Sequence, residues 1–402
     1  MAKATSLLEE RAWSCNVMMY PRNNSRYASI IARNDKVKSR FKDILVAACR
    51  TPCDVASHSE SSPLSLQYEV NPKEKLSTTF IFNIIKPLSL ITDGALMIVD
   101  YEHGICDKVE AEMRKALSDK ISVVLLINNV DSCFYFEGEK VYQILFNIVK
   151  NVNSIIKEFK DADEVCPGKG TVIFTFGLSD SAFNLSKFAT DGSVPEKLWG
   201  DNYYDPRYSK WYSKKTKSAS CKRGFVHFCY EPIKEILRHA SDNEIGKLCC
   251  LAEKLGIDVN CQEKSDGMTL MKSIMQKWLP ADSLLAEMMI SHLPSPVTAQ
   301  QCRFSILYTG DESDKYAQAI SCNPDGPLML YVSNYEDKSS VLGRVYSGNV
   351  STWMTVRVIR PAYRSGGKEH TCCVKLWDEN KTGYVEKVSS GSLVVLESVC
   401  KF

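Results

Sequence analysis

The segment 95–156 alternates between two hydrophobic periods, and this alternation constrains the fold more than any other feature. Residues 95–99 (ALMIV) and 121–127 (ISVVLLI) are short, continuous apolar runs, which are typical of strands buried on both faces. Each run is followed by apolar residues at helical spacing. The helical positions are Val109, Met113, Ala116 and Leu117 in the first segment, and Val141, Leu145, Ile148, Val149, Val152, Ile155 and Ile156 in the second.

Strands that alternate with helices predict an α/β fold with a doubly wound, mostly parallel sheet. A further strand is predicted at residues 171–176 (TVIFTF). Right-handed crossovers bring the loops that follow such strands to one edge of the sheet, where ligands of doubly wound sheets bind. The residues that follow these three strands are therefore the first candidates for a site.

The alternation of strand and helix patterns ends at about residue 191, and the segment 191–278 indicates an inserted subdomain. It contains a Lys/Ser/Tyr-rich stretch at 208–220 and a predicted strand at 224–230 (GFVHFCY). A helix is predicted at 282–292, ended by two prolines. After residue 300, short β-rich runs separated by Gly and Pro predict a small barrel. These runs are 327–333, 343–346, 355–359 and 391–396.

Composition excludes several classes of function. Fifty basic and forty-eight acidic residues among 402 give a formal charge of +2, which argues against autonomous nucleic-acid binding. The apolar runs are too short to span a bilayer and the N-terminal segment lacks a signal-peptide pattern, so no membrane partner is expected. Sixteen cysteines without C-x-x-C spacing predict reduced, packed thiols and a cytoplasmic location.

Three unusual strings carry a resemblance to a known family. They are KLWGDNYYDP at 197–206, WLPA at 278–281 and HLPSPVTAQ at 292–300, and they are similar to the eukaryotic elongation factor 2 family of translational GTPases. Four further strings resemble the same family: TDGAL at 92–96, VDYEHG at 99–104, PDGPLMLYVS at 324–333 and GRVYSG at 343–348.

The resemblance implies a P-loop-GTPase-like G domain over residues 1–300, with an inserted α+β subdomain at about 191–278. A small antiparallel β-barrel then occupies residues 301–402. The later domains of the family have no counterpart in this sequence. The resemblance therefore predicts that this polypeptide does not perform ribosomal translocation alone.

The triphosphate end of the family's nucleotide site is altered. The family's phosphate loop, HVDHGKST, aligns with residues 20–27 (YPRNNSRY), which puts Ser25 at the lysine and Arg26 at the magnesium hydroxyl. The switch I threonine aligns near His58, and the switch II motif is missing between residues 87 and 92. Since phosphoryl transfer depends on these groups, we expect no hydrolysis and no magnesium.

The guanine end resembles the family more closely. Residues 128–131 (NNVD) resemble Asn-Lys-x-Asp, in which Asp131 would accept from the guanine edge and Asn128 would brace the loop. Gly177 and Leu178 stand where backbone N–H groups donate to the guanine oxygen. The resemblance thus predicts a residual, weak GTP site. Alternatively, Asn128 and Asp131 only cap the turn after a strand.

Three hypotheses of function remain open. The chain is a translational GTPase acting at the ribosome, a catalytically dead module that binds the ribosome, a ribonucleoprotein or a translation-linked partner, or a degenerate gene product. No residue is assigned a catalytic role. His103 and His227 are expected to lack partners for a metal site or a catalytic triad.

Overall fold

The computed structural model describes residues 25–48, 64–71, 76–83, 91–189, 195–259, 266–307, 322–333, 340–358, 370–377 and 383–398. They form a mixed α/β structure with one mostly parallel sheet and separate antiparallel sheets. Positions 20–24, 58 and 87 of the nucleotide-site alignment lie outside the described residues.

The main sheet has seven strands in the order β2-β3-β1-β4-β5-β6-β7. Its central strands are parallel, whereas β2 and β7 run antiparallel at the edges. The strands are β1 (Ser25–Ile31), β2 (Leu64–Asn71), β3 (Leu76–Asn83), β4 (Gly94–Asp100), β5 (Ser122–Asn128), β6 (Val172–Thr175) and β7 (Ala182–Phe183).

Helices cover both faces of this sheet. Helices α2 and α3 pack on one face, and α1 and α7 pack on the other. Burial on both faces explains why β4 and β5 read as continuous apolar runs. The α-helices are α1 (Asp35–Ala48), α2 (Asp107–Ser118), α3 (Gly138–Ile156), α4 (Glu231–Ser241), α5 (Ile245–Lys254), α6 (Gly267–Trp278), α7 (Ala281–His292), α8 (Pro296–Cys302) and α9 (Phe304–Leu307).

The predicted elements of this region are confirmed. Strands 95–99, 121–127 and 171–176 correspond to β4, β5 and β6, and the helix predicted at 282–292 corresponds to α7. The buried residues of α2 are the four predicted from spacing, and every predicted position of α3 is buried. No described helix combines the length and the apolar composition that crossing a bilayer requires.

Between β7 and α7 the chain forms a small three-stranded antiparallel sheet and helices α4, α5 and α6. It returns to the main sheet where the Ala182 N–H donates to the Leu279 carbonyl oxygen at 3.0 Å. The strands of the small sheet are β8 (Tyr203–Asp205), β9 (Lys210–Tyr212) and β10 (Lys222–Arg223).

The strand predicted at 224–230 is wrong. Phe225–Tyr230 is a π-helical segment that runs directly into α4. Its aromatic and β-branched residues favour a strand. However, the buried residues Phe225, Val226, Cys229 and Tyr230 recur at helical spacing, and packing against the main core decides the conformation.

The last part of the chain is antiparallel. Five strands have the order β11-β12-β17-β15-β14, and a two-stranded ladder joins β13 to β16. A small antiparallel barrel was predicted; the antiparallel sheet is present, and β11 and β14 at its two edges are not paired with each other in the described residues. The strands are β11 (Met329–Ser333), β12 (Ser340–Ser347), β13 (Asn349–Ser351), β14 (Thr355–Val358), β15 (His370–Trp377), β16 (Lys387–Ser389) and β17 (Leu393–Ser398).

The prediction that all thiols are reduced is wrong at Cys249, which takes part in a disulfide. The other described cysteines are free thiols.

A buried ion cluster joins the main sheet to the five-stranded sheet. The Asp93 carboxylate, just before β4, accepts from both terminal nitrogens of Arg344 on β12, at 2.7 Å each. Arg303 contributes Nη1 at 3.3 Å from Asp93 and donates to the Thr92 carbonyl oxygen at 2.7 Å. Burial raises the pKa of the Asp93 carboxyl, and the two guanidinium groups oppose this shift. The short bidentate contacts favour the ionised pair.

Aromatic rings surround the same cluster. The Arg344 guanidinium lies 5.1 Å from the ring centre of Tyr27 on β1 and 5.5 Å from that of Tyr346. The Tyr27 hydroxyl donates to the Gly391 carbonyl oxygen at 2.7 Å. The two sheets are therefore held by an ion pair, ring contacts and a buried hydrogen bond.

Replacing Arg344 by Met is expected to lower the free energy of unfolding by about 3–5 kcal/mol, because it removes the bidentate partner of a buried carboxylate. Urea unfolding followed by circular dichroism measures the loss. Lys387→Met, at the exposed first residue of β16, is the control and is expected to stay within about 0.5 kcal/mol of the wild type. Equal losses of stability in the two variants would contradict the conclusion that the buried pair of Asp93 and Arg344 stabilises the fold.

Candidate functional site

The candidate site lies where the parallel strands β4, β5 and β6 end. Asp100 at the end of β4 pairs in register with Asn128 at the end of β5, so their following loops share one edge. The structure brings all four residues of the predicted guanine site to this edge. We call the carboxyl-edge cluster the set Arg40, Asp100, Asn128, Asn129, Asp131, Gly177, Leu178 and Asp180.

Both carboxylate oxygens of Asp131 accept hydrogen bonds from the backbone. Its side chain is only 4% exposed, and it lies in the 3-10 segment Val130–Tyr135. Oδ1 accepts from the Gly177 N–H at 3.0 Å, and Oδ2 accepts from the Leu178 N–H at 2.9 Å. The carboxylate and the two amides, which the resemblance assigns to different atoms of guanine, are thus bonded to each other.

The two asparagines tie neighbouring strands together. Asn128 Oδ1 accepts from the Thr175 hydroxyl at 3.0 Å. Asn129 has a left-handed backbone with φ of 60°, and its Nδ2 donates to Asp100 Oδ2 at 2.8 Å. Gly177 lies in the loop after β6, and a Cβ there would overlap Asn129 Oδ1, so a larger residue would displace the end of the Asn129 side chain.

Arg40 reaches the same edge from α1. Its Nε and Nη2 donate to Asp180 Oδ1 at 3.0 and 2.7 Å, and Nη2 also donates to the Phe176 carbonyl oxygen at 2.8 Å. Nη1 lies 3.5 Å from Asn128 Oδ1. Sequence reasoning missed Arg40 because no motif contains it, and only the packing of α1 on the sheet brings it here.

The predicted position of the phosphate loop is wrong. Ser25 and Tyr27 lie within β1, where they pair with Thr79 and Ile81 of β3. A loop that receives phosphate at a helix N-terminus must follow the strand. In this structure the link from β1 to α1 is residues 32–34, several positions later than the alignment placed it.

The cluster has no evident nucleophile. The nearest thiol, Cys133, is fully buried and donates to the Val130 carbonyl oxygen at 2.9 Å. Burial, together with the negative charge of Asp131, raises the pKa of Cys133 to about 12. At neutral pH this thiol is therefore protonated and inert. The arrangement can hold groups by hydrogen bonds and charge, but it does not assemble a nucleophile with a base.

The turn after β4 brings His103 close to Asp100 and Glu102, a neighbourhood that the sequence did not indicate. His227, in contrast, stacks on Tyr204 with ring centres 5.3 Å apart and lies 3.5 Å from Glu231. No family model matches the chain.

Asp131→Asn is expected to lower the free energy of unfolding by about 2–4 kcal/mol. It removes the charge from two hydrogen bonds and turns an amide donor toward a backbone donor. Asp180→Asn makes the same change at the same edge, at a side chain that is 54% exposed, and should cost about 1 kcal/mol or less. Denaturant unfolding of both variants measures the difference, and similar losses would show that Asp131 is not specially bound.

The Cys133 thiol predicts a pH dependence. Its pKa is about 12 in the folded state against an ordinary value of 9.0. Its contribution to stability is therefore complete below pH 9 and falls as the pH rises toward 12, by up to ~1.4 kcal/mol per pH unit. Between pH 9 and 11, the free energy of unfolding of Cys133→Ala should fall less steeply than that of the wild type. The exposed Cys250→Ala should retain the wild-type slope.

Proposed function

We propose that this chain is a scaffold related to translational GTPases that acts by binding a ribosomal or translation-linked partner and does not use GTP. The observation that carries this proposal is the pairing of Asp131 with the Gly177 and Leu178 amides. The groups that would recognise guanine are already satisfied by one another.

Two features support descent from a P-loop G domain. The sheet reverses its order at β1, and the strand-loop-helix unit of β1 and α1 lies at that switch point. Residues 32–39 (ARNDKVKS) fit the spacing G-x-x-x-x-G-K-S, with Lys38 and Ser39 in place. Both glycines of the pattern are replaced, by Ala32 and Val37. The finer fold assignment, a degenerate G domain with an insertion and a barrel-like second domain, rests on these features and on the resemblance.

The phosphate end does not fit a triphosphate. Without glycine the link cannot form the usual anion-holding nest, and the helix already begins at Asp35. The Val37 N–H donates to Asn34 Oδ1 at 3.0 Å. One of the backbone N–H groups at the start of α1 is therefore already bonded and does not face a phosphate. The Lys38 side chain is only 2% exposed, and its Nζ lies 3.8 Å from the Asp35 carboxylate.

The guanine end does not fit either. A guanine would have to replace two charge-assisted hydrogen bonds of Asp131. The Arg40 side chain also bonds the Phe176 carbonyl oxygen and Asp180 across the same edge. Nucleotide binding would therefore require rearrangement at both ends.

Exposed apolar side chains next to the cluster offer a surface for a partner. Tyr135 is 79% exposed, Leu178 is 46% exposed and Phe136 is 39% exposed. Large apolar groups that remain in contact with water near one another are common at interaction sites. This is the surface on which we place partner binding.

The nucleotide part is tested by thermal unfolding with and without ~1 mM GTP and magnesium. A ligand that binds only the folded form with a Kd one hundred times below its concentration would add about 2.7 kcal/mol. We expect no shift in melting temperature. A shift specific to GTP over ATP, and lost in Asp131→Asn, would show that the guanine site opens and works.

The partner part is tested by sedimentation with ribosomes at physiological salt. The wild type should enter the ribosomal fraction equally with and without GTP. The double variant Tyr135→Asp and Leu178→Asp should lose at least tenfold in binding, because it charges the proposed surface. Tyr208→Asp, at another exposed aromatic residue, is the matched control. Absence of the wild type from the ribosomal fraction would overturn the translational role.

A further inference from the structure

The turn that leaves β4 gathers three side chains of metal-binding type. Asp100, Glu102 and His103 each offer one ligand atom, and these atoms lie within 4.8 Å of one another. We propose that they form a binding site for a divalent transition metal, with Zn²⁺ as the best-suited ion. The site shares Asp100 with the carboxyl-edge cluster but contains none of the four predicted guanine-site residues, so the proposal does not rest on the proposed function.

The backbone brings the three side chains together. The Gly104 N–H donates to the Asp100 carbonyl oxygen at 2.9 Å, which closes the turn. Gly104 has a φ of +61°, a conformation that glycine adopts without strain. The Tyr101 hydroxyl donates to Glu102 Oε1 at 3.1 Å. The turn is thus closed before any ion arrives.

A residue from another strand end orients the first ligand. Asn129 Nδ2 donates to Asp100 Oδ2 at 2.8 Å, which holds the carboxylate and directs Oδ1 toward the turn. Asn129 itself is fixed in its left-handed conformation after β5. Hydrogen-bond partners of this kind orient metal ligands in many sites, and their loss commonly weakens binding.

The geometry requires a small closing movement. Oxygen and nitrogen ligands lie ~2.1 Å from Zn²⁺, so two atoms bound to one ion are at most about 4 Å apart. Because the three ligand atoms lie within 4.8 Å of one another, the closing movement is at most about 1 Å. The side chains that must move, Glu102 and His103, are exposed and can adjust, whereas Asp100 is partly buried and held.

The ligand chemistry selects the ion class. Two carboxylates balance a double positive charge, and an imidazole nitrogen favours zinc and its neighbours over magnesium and calcium, which take oxygen ligands. Three protein ligands leave a fourth tetrahedral position open to water. The site therefore resembles the exchangeable kind of zinc centre more than a closed structural one.

The experiment titrates the purified chain with Co²⁺ and follows its visible absorption, and then displaces Co²⁺ with Zn²⁺. One equivalent is expected to bind with the spectrum of oxygen and nitrogen ligands. His103→Gln and Glu102→Gln should each raise the Kd at least tenfold. Asn129→Gly, which keeps the left-handed backbone accessible, should raise it about tenfold. His227→Gln is the matched control and should leave the Kd unchanged.

Three results would overturn the proposal. The first is no Co²⁺ or Zn²⁺ binding at millimolar metal. The second is equal loss of affinity in His103→Gln and His227→Gln. The third is binding that both glutamine variants at Glu102 and His103 retain and that shows the intense near-ultraviolet band of thiolate ligands, which would place the ion on the cysteines.

Discussion

One buried carboxylate, Asp93, organises the described structure. It lies between the guanidinium groups of Arg344 and Arg303, and so it fixes the start of β4 against both the five-stranded sheet and the segment after α8. Removing one partner of such a pair is costly because the remaining charge stays buried. The other end of β4 is Asp100, which carries the carboxyl-edge cluster and the proposed metal site. The position of these sites thus depends on an ion pair at the opposite end of the same strand.

The sequence predicted the parts of the fold in which burial leaves a simple pattern. Strands β4 and β5 are apolar throughout because helices cover both of their faces, and α2 and α3 keep their apolar stripes for the same reason. The π-helical segment Phe225–Tyr230 was mispredicted because its residue types favour a strand while its contacts impose a helix. The phosphate-loop alignment failed because the glycines that mark such a loop are absent, and only the strand-helix junction locates it.

Four residues of the candidate site were predictable from the sequence, but their bonding and the other members were not. Asn128, Asp131, Gly177 and Leu178 were identified from two short segments, and the structure brings them to one edge. The direct hydrogen bonds from the two amides to Asp131 could not be predicted, because residue types do not give the distance between the two loops. Arg40 is far from Asp180 in sequence, and it enters the site because α1 packs beside α7 on one face of the sheet. The partnership of His103 with Asp100 likewise depends on how sharply the turn at Gly104 closes.

Gly177 links these observations across the sheet. A methyl group at this position would collide with the Asn129 amide, which is the group that holds Asp100. A side chain at residue 177, in the loop after β6, would therefore displace the Asn129 side chain and release the Asp100 carboxylate two strands away. The identity of residue 177 and the turn after β4 are thus coupled through the Asn129 side chain.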